Sequence, residues 1–507
     1  MSGAGSGAAP RATVHIETHR GTRPLNRGIL GQFLEHFHRQ IYGGLFEPGS
    51  PLSDPRGFRA DVVEAVRALR VPIVRWPGGC FVSAYHWADG IGPHRVPTFD
   101  KAWLVEEPNL FGTDEYVSWC RAVGAEPYIC TNAGSGDAEE MSDWVEYCNA
   151  TQGRWARQRA ANGCSSPHGV RYWSVGNENY GDWEVGAKTP AQWAPFVAEC
   201  AKMMLRADPT VRLSAAALPS TEWTLPLLKH AGRYLSLVSI HKYWDPLWQK
   251  DEPSDYGTCM LASVDPDAVI ALTESIIRVA GLEGRVRIAF DEWNLRGWHH
   301  PPLNGVPAGD IAARDRNDRN STYTMADAVF SACFLNACLR HGDSVEMACM
   351  APLVNARGPL FVHPHGIVRR TTYHVLWMYA NLLEANVASV WTQSDPWDRT
   401  DTDPARRGSV PALDAAATCD GAGRHWRIIL VNRDPSRPVS CRISVPGAVP
   451  EGTLEATALS GDSPDAYNDV EAADRVIPVK ATWKVDRGLV QVPPHSVSVV
   501  DLGSRGA

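Results

Sequence analysis

The sequence predicts an α/β protein, a (β/α)8 TIM barrel followed by a C-terminal antiparallel β-sandwich of jelly-roll type, and three observations predict it. Its 507 residues exceed what one hydrophobic core usually organises, which calls for a large domain and a smaller one. Between about residues 55 and 355 a cycle recurs: an amphipathic helical stretch, a breaker, then a short apolar run ending in polar residues. After about Glu384 the pattern changes to period-two alternation broken by Pro, Gly and Asp clusters.

The barrel units follow in order. Gly28 to Leu34 reads as the first strand. Val62, Val63, Val66 and Leu69 keep helical spacing, and Val71 to Val74 is a strand ending at Arg75-Trp76-Pro77-Gly78-Gly79. Tyr116, Val117, Cys120 and Val123 mark a helix stopped at Gly124, before Pro127 to Cys130, which ends at Thr131-Asn132. Met141, Trp144, Val145 and Cys148 mark the next helix. After an irregular insertion, Val170 to Val175 leads into Gly176-Asn177-Glu178. Thr189-Pro190 opens a helix as N-cap and first helical residue, Asp208-Pro209 stops it, and Val211 to Ala217 follows. Leu235 to Ile240 delivers His241-Lys242-Tyr243. A helix opened by Asp265-Pro266, carrying Val269, Ile270, Ile276 and Ile277 and closed at Gly281, precedes Val286 to Phe290, which delivers Asp291-Glu292-Trp293. Asn320 to His341 is helical up to Gly342, and Ser344 to Val354 delivers Asn355. Eight such units make the barrel, whose active sites lie where strand C-termini open into loops.

Trp426 to Val431, Val439 to Val445, Val490 to Val492 and Ser496 to Leu502 alternate as sandwich strands, and Ala12 to Ile16 is expected to join them. The expected division is 1–26 as a segment lending a strand to the sandwich, 27–384 as the barrel and 385–507 as the sandwich.

Composition narrows the function. With 49 Lys+Arg against 57 Asp+Glu the net charge is −8, which argues against nucleic acid or an anionic membrane as partner. No apolar run approaches the roughly 20 residues of a membrane span. Residues 1–10 are rich in Gly, Ala and Ser without the basic and apolar regions of a secretory signal, and 12 Cys are scattered without a CxxC repeat. A cytoplasmic protein with reduced thiols is expected. The 19 Trp suit either a site that grips sugars or a large core, and composition does not choose between them.

Two acids stand at strand ends, Glu178 after the fourth strand and Glu292 after the seventh. Carboxylates facing each other about 5 Å apart across a barrel are what retaining glycoside hydrolysis requires, one holding a proton for the leaving oxygen and the other ionised to attack the anomeric carbon. A strand-end Glu is more often a solvated or salt-bridged surface group. The context Trp173-Ser174-Val175-Gly176-Asn177-Glu178-Asn179 favours function, because it places an amide beside the acid. Asp291 competes with Glu292, and strand alternation predicts that only one of them faces the barrel axis.

A metal-dependent barrel hydrolase of the amidohydrolase kind is suggested by His36-Phe37-His38 after the first strand. That pattern also needs a Lys on the fourth strand, His on the fifth and sixth, and Asp on the eighth, of which only the sixth-strand His is present. His299-His300 and His363-Pro364-His365 lie in Pro-rich loops and read as surface or packing residues. A non-enzymatic sugar-binding protein is the third reading, and it predicts tolerance of Glu178 and Glu292 replacement.

Over most of its length the chain resembles the α-L-arabinofuranosidases of glycoside hydrolase family 51, a retaining barrel family. The motifs are Gly31-Gln32-Phe33-Leu34-Glu35-His36, Arg75-Trp76-Pro77-Gly78-Gly79, Tyr85-His86-Trp87-Ala88-Asp89-Gly90-Ile91-Gly92-Pro93, Gly176-Asn177-Glu178, Ser239-Ile240-His241-Lys242-Tyr243 and Phe290-Asp291-Glu292-Trp293-Asn294. The resemblance implies Glu178 as acid/base and Glu292 as nucleophile. It also implies Glu35 and Asn177 as binders of arabinose hydroxyls, Tyr243 as the hydroxyl bonded near the nucleophile, and His241 and Arg75 as supporting groups. Trp103 and Trp298 resemble aromatic positions shaping the pocket mouth. The implied substrate is an arabinose-containing oligosaccharide, with no cofactor and no metal, in a homo-oligomer, a hexamer by that likeness.

Two departures touch the sugar subsite. Cys80 stands where the family often has Asn, filling the space with a weaker donor, and Pro352 stands where compared members carry Gln. Residues 296–320, with Trp298 and three Pro, read as a loop closing a pocket for exo-action. A family member acting on another bond, an endo-β-1,4-glucanase or a xylosidase, is the rival. Of the indoles, Trp76, Trp87, Trp103, Trp244, Trp293 and Trp298 lie at strand-end motifs where sugar contact is expected, while Trp119, Trp144, Trp193 and Trp377 read as packing.

Overall fold

The structure, a computed structural model, describes residues 9–249, 252–298, 318–445 and 450–504. Eight parallel strands form the barrel: Gly31–Phe33, Ile73–Trp76, Glu126–Thr131, Tyr172–Val175, Arg212–Ala215, Leu237–Asp245, Arg287–Arg296 and Val345–Met350, here barrel strands 1 to 8. Their hydrogen-bonded order is 5-4-3-2-1-8-7-6. The ring closes between strands 5 and 6 through the parallel bridge of Ala216 with Ser239, where Ala217 N–H donates to the Ser239 carbonyl at 2.8 Å.

Local chemistry sets the helices around this ring. Thr189 and Gln192 form a capping box at the start of Pro190–Ala207, with Pro190 at the first position, where a missing N–H costs nothing. Gly124, at φ 82°, ends Thr113–Val123 in the left-handed conformation that glycine tolerates best. Asp137 caps Ala138–Asn149 by accepting from Glu140 N–H. A cap of this kind is worth about 1 kcal/mol.

Several boundaries differ from the sequence reading. Arg27–Leu30 is a 3-10 turn capped by Asn26, so the first strand begins only at Gly31. The stretch expected to be one helix from Asn320 is a 3-10 turn, Asn320–Thr322, followed by the helix Met325–Arg340, whose start is fixed by a Thr324/Asp327 capping box. The insertion read as irregular contains the helix Arg154–Ala161. Strands 6 and 7 run past the expected ends, so Tyr243 and Glu292 sit within strands rather than on the loops after them. Most of the expected closing loop falls outside the described residues.

Two apolar clusters hold the barrel. One is large, lies between the strands and the surrounding helices, and continues into the core of the C-terminal sheet. The other is formed by Phe33, Ile73, Tyr128, Leu237, Ala289, Met347, Cys349 and Ala351, drawn from or beside strands 1, 2, 3, 6, 7 and 8, and it fills the interior below the site.

The second domain is a nine-stranded sheet in the order Val479–Val485, Gly452–Leu459, Ser496–Ser504, His425–Asn432, Leu413–Cys419, Asn386–Ser394, Arg11–Pro24, Val439–Ser444 and Leu489–Val492. The two edge strands, Val479–Val485 and Leu489–Val492, are joined by only Asp486, Arg487 and Gly488. The sheet therefore curls until its edges nearly meet, which produces the two-layered roll. All pairs but one are antiparallel. Arg11–Pro24 pairs antiparallel with Asn386–Ser394 but parallel with Val439–Ser444; it runs out toward the barrel at Pro24, beside the point where the chain returns at Asn386, and no hairpin joins it to either partner. The roll is pinned to barrel helices by Arg433 to Ser263 Oγ at 2.7 Å and Arg340 to Asp414 at 3.0 Å.

Candidate active site

The polar strand ends converge at one end of the barrel. After strand 4 the chain turns sharply: Gly176 has φ 70°, and Glu178, unusually for a side-chain-bearing residue, has φ 43°. A Cβ at Gly176 would stand 2.1 Å from Asn179 Oδ1 and 2.7 Å from the Trp193 ring, so only glycine fits. Left-handed backbone at a non-glycine residue costs on the order of 1 kcal/mol and is characteristic of sites where geometry outranks comfort. Here it directs both Asn177 and Glu178 inward.

Arg75, from strand 2, is the hub and has no solvent exposure. Its Nη1 meets Glu292 Oε2 at 3.1 Å, its Nη2 donates to Asn177 Oδ1 at 2.7 Å, and its Nε stands 3.4 Å from Asp291 Oδ2. Strong attraction to these carboxylates outweighs the burial that would otherwise strip its proton. Asp291 also accepts from Tyr128 O–H at 2.6 Å and Ser239 O–H at 2.7 Å. The expectation that only one of Asp291 and Glu292 faces inward is therefore wrong. Ala289 pairs with Ser239 and Glu292 with His241, three residues against two, so a β-bulge breaks the alternation and both acids reach Arg75.

His241, from strand 6, lies between the acids. Its Nδ1 is 2.9 Å from Glu178 Oε1 and 3.4 Å from Glu292 Oε2, and its Nε2 is 3.4 Å from Asp291 Oδ1. Burial opposes its charge, but the Glu292 charge and the hydrogen bonds to Asp291 and Glu178 prevail and push it up to about 10. Burial alone would raise Glu178, yet the His241 hydrogen bond and charge, the Trp183 N–H and Arg75 hold it below the usual carboxylate range. Asp291 is likewise held low against its burial, by Arg75 and His241. Oxygens of Glu178 and Glu292 and a ring nitrogen of His241 all lie within 4.8 Å of one another.

Tyr243 O–H donates to Glu292 Oε1 at 2.5 Å and accepts from Arg357 Nη2 at 2.8 Å, with the guanidinium 4.5 Å above the phenol ring. Glu35, just past strand 1, is buried, and its Oε1 accepts from Trp103 Nε1 at 2.8 Å and Phe81 N–H at 3.1 Å. Burial first, and the Glu292 charge second, push its carboxyl up to about 8. It fits only because a Cβ at Gly78 would collide with its Cγ at 2.3 Å. Cys80 opens the 3-10 turn Cys80–Ala84, and burial with the charges of Glu184, Glu35 and Glu178 pushes its thiol well up, leaving it a neutral donor. Trp103 and Trp298 meet through Phe37, whose ring is 4.0 Å from one and 5.3 Å from the other. Pro352 follows a cis peptide, and Leu353 N–H binds the Phe33 carbonyl at 2.8 Å.

All the named candidates thus gather at this end of the barrel, and four unforeseen residues join them: Asp291 as an inward group, Arg357, Glu184 and Trp183. Trp183, 63% exposed, donates from Nε1 to Glu178 Oε2 at 3.0 Å. Asp-Trp-Glu at 182–184 lies so close to Glu178 that a loop folding back over the acid was readable, whereas Arg357 carried no periodic or motif signal.

The indoles divide differently from the sequence reading. Trp76, Trp87 and Trp293 are sealed in the core, stacked on Tyr116, Trp144 and Phe334, and Trp244 packs on Phe330 while donating to Asp265. Alternation on short strands turns a motif residue outward as readily as inward. Trp183 and Trp248 are the exposed indoles near the site, Trp248 standing edge-on to Tyr243 at 6.2 Å.

The His-x-His pair does not form a metal centre. His36 Nε2 accepts from Trp76 Nε1 at 3.0 Å, leaving Nδ1 to meet Glu107 at 2.9 Å, while His38 turns toward Asp318 at 3.6 Å. Glu178, His241 and Glu292 have the spacing of a metal triad, but a cation there would face a charged imidazole and displace the Arg75 and Tyr243 bonds.

A (β/α)8 barrel with facing carboxylates just past strand 4 and on strand 7, backed by a buried Arg and a Tyr, defines a glycoside hydrolase of the barrel class. Residues 65–259 match the α-L-arabinofuranosidase 1 domain model and residues 291–496 the α-L-arabinofuranosidase C-terminal domain model. The α-L-arabinofuranosidase C of Emericella nidulans is 32% identical over 97% of each chain. An intracellular exo-α-(1→5)-L-arabinofuranosidase of Halalkalibacterium halodurans is 31% identical over 90% of this chain and 92% of its own. The solved family 51 α-L-arabinofuranosidase of Thermotoga petrophila superposes with a TM-score of 0.84 at 33% identity, covering 97% of this chain and 100% of that one. The chain belongs to the family 51 α-L-arabinofuranosidases.

Proposed function

We propose that the enzyme removes terminal non-reducing α-L-arabinofuranosyl residues from arabino-oligosaccharides with retention of configuration, Glu292 acting as nucleophile and Glu178 as acid/base. The observation that carries this reading is the approach of Glu178 and Glu292 oxygens within 4.8 Å, with the His241 ring between them. Retaining enzymes hold their carboxyl groups about 5 Å apart, whereas inverting ones leave about 6.5 Å or more for a water.

Glu292, steadied by Arg75, His241 and Tyr243, attacks the anomeric carbon as that carbon's bond to the leaving oxygen breaks, and Glu178 delivers a proton to that oxygen. Water then enters. Glu178 takes one of its protons, the water oxygen bonds to the anomeric carbon, and the glycosyl ester to Glu292 breaks. The resting site holds the required proton on His241 rather than on Glu178. Moving it along the 2.9 Å hydrogen bond yields a protonated Glu178 and a neutral ring, and exclusion of water by bound sugar favours that uncharged pair. Asn177, Glu35, Cys80, Arg75, His241, Tyr243, Trp103 and Trp298 surround the sugar in this reading.

Exo-action rests on Trp103, Phe37 and Trp298 narrowing the mouth, and the relative from Halalkalibacterium halodurans, whose name specifies exo-action, supports it. A cytoplasmic home, a hexamer and a division into 1–26, 27–384 and 385–507 belong to the same proposal. No helix among the described residues is long and apolar enough to cross a membrane. The test compares wild type, Glu178→Ala and Glu292→Ala on aryl arabinofuranosides. Glu178→Ala retains activity on good leaving groups and is rescued by azide with a retained arabinosyl azide as product. Glu292→Ala is silent on every substrate. An inverted product, or equal losses in both variants on good leaving groups, overturns the assignment.

A further inference from the structure

We propose that Glu184 is a positioning residue for the acid, a third carboxyl set behind Asn177 and Cys80 whose negative charge favours passage of the proton from His241 to Glu178. The inference rests on Glu178 being the acid/base.

Glu184 lies six residues beyond Glu178, on the loop that folds back over it, and is 4% exposed. Ser83 O–H donates to its Oε1, and the Cys80 and Asn177 side chains lie toward the carboxylate. Its Oε2 and the Asn177 Nδ2 have no hydrogen bond of normal geometry among the described residues. The Asn177 amide is thereby placed between two groups: Arg75 fixes its oxygen at 2.7 Å, and its nitrogen turns to the Glu184 side.

The groups acting most strongly on Glu184 are these neutral donors and one like charge, Glu178, with no cation among them. Cys80, Cys130 and Tyr180 also feel its charge, and each has its own proton pushed up by burial, so none supplies a compensating charge. Burial and the Glu178 charge push the Glu184 carboxyl up to about 7, against the pull of Ser83, Cys80 and Asn177. The wall is therefore neutral in acid solution and charged above neutrality. A charged carboxylate there opposes His241, whose positive charge draws the proton off Glu178. Glu184 restores proton affinity to the acid in the pH range where the acid would otherwise lose it.

The experiment is the pH profile of kcat/KM on an arabinoside with a poor leaving group, for wild type, Glu184→Gln and Ser83→Ala, with Glu178→Ala on an activated aryl arabinofuranoside, whose leaving group needs no acid, as reference. Glu184→Gln keeps the shape and removes the charge, so the alkaline limb moves to lower pH by about one unit, tenfold in the ionisation of the acid. Ser83→Ala, which weakens the ionised form of Glu184, moves it the same way by less. A uniform drop in rate with the limb unmoved in both variants means a merely structural Glu184 and overturns the inference. If the alkaline limb persists in Glu178→Ala, it does not belong to Glu178, and the acid assignment falls together with the inference. If the limb vanishes there but stays in place in Glu184→Gln, the acid assignment stands and the inference alone fails.

Discussion

Replacing Tyr243 with Phe removes one oxygen from the site and leaves its fold supports in place. That oxygen donates to Glu292 Oε1 at 2.5 Å, while Glu292 keeps Arg75 at 3.1 Å and His241 at 3.4 Å on its other oxygen. The nucleophile therefore remains paired but loses the contact that fixes its rotation. A hydrogen bond to a charged group is worth about 1.5–3 kcal/mol, which corresponds to a fall of roughly 10- to 150-fold in kcat/KM. The loss falls mainly on kcat, because the aligned carboxylate matters most as the ester forms. Arg357 keeps its bond from Nε to the Ala351 carbonyl at 3.0 Å but loses the acceptor for Nη2, so a small drop in thermal midpoint accompanies the kinetic effect. Steady-state kinetics on aryl arabinofuranosides with a thermal melt of the same preparation measure both. A Phe variant within twofold of wild type in kcat, with its melting unchanged, refutes the idea that the hydroxyl aligns the nucleophile.

Three further expectations follow from the same geometry. Glu35 is neutral below about 8 because burial and the Glu292 charge raise it, so binding that uses its acid form is intact below that pH and fades above it. KM then climbs above pH 8 in wild type and stays flat in Glu35→Gln, and parallel curves would count against the role. Prolonged chelation leaves kcat unchanged, and loss of activity restored by a divalent cation would revive the metal reading of the Glu178, His241 and Glu292 triad. Asp318→Asn removes the counter-charge of Arg370, 2.6 Å away, and weakens the bond to Ala356 N–H at 2.8 Å, costing about 3 kcal/mol in a buried setting. Calorimetry should show a clearly lower melting temperature, and an unchanged one would mean that the loop carrying Arg357 is held elsewhere.

The sequence was legible where chemistry is local. Strand-end motifs, caps and Gly breakers located the barrel ring because each depends on neighbours within a few residues. The two acids were legible for the same reason, Gly176 and Asn177 marking the turn that presents Glu178. What escaped depends on distance or on broken rules. The bulge at Asp291-Glu292 is a mismatch with strand 6 and has no signature in strand 7 alone. Arg357 enters from a loop after the eighth strand, and its partner Tyr243 lies 114 positions earlier. Burial of Trp76, Trp87 and Trp293 was hidden because a motif near a strand end does not say which side of the sheet each ring takes. Four strands of the roll, Asn386–Ser394, Leu413–Cys419, Gly452–Leu459 and Val479–Val485, are half-exposed or Ala-rich and lack the apolar runs that alternation needs.

The strand Arg11–Pro24 gives the molecule an unusual assembly order. It is made before the barrel, yet its partners Asn386–Ser394 and Val439–Ser444 are made after it, so the barrel is in effect an insertion inside the roll and its two chain ends are held by one clasp. During synthesis this strand must wait, unpaired, until the whole barrel has emerged. A chain starting at residue 27 would keep every residue of the pocket but leave two strands with open edges, ready to pair with other molecules. Its loss would be felt as aggregation long before it was felt as chemistry.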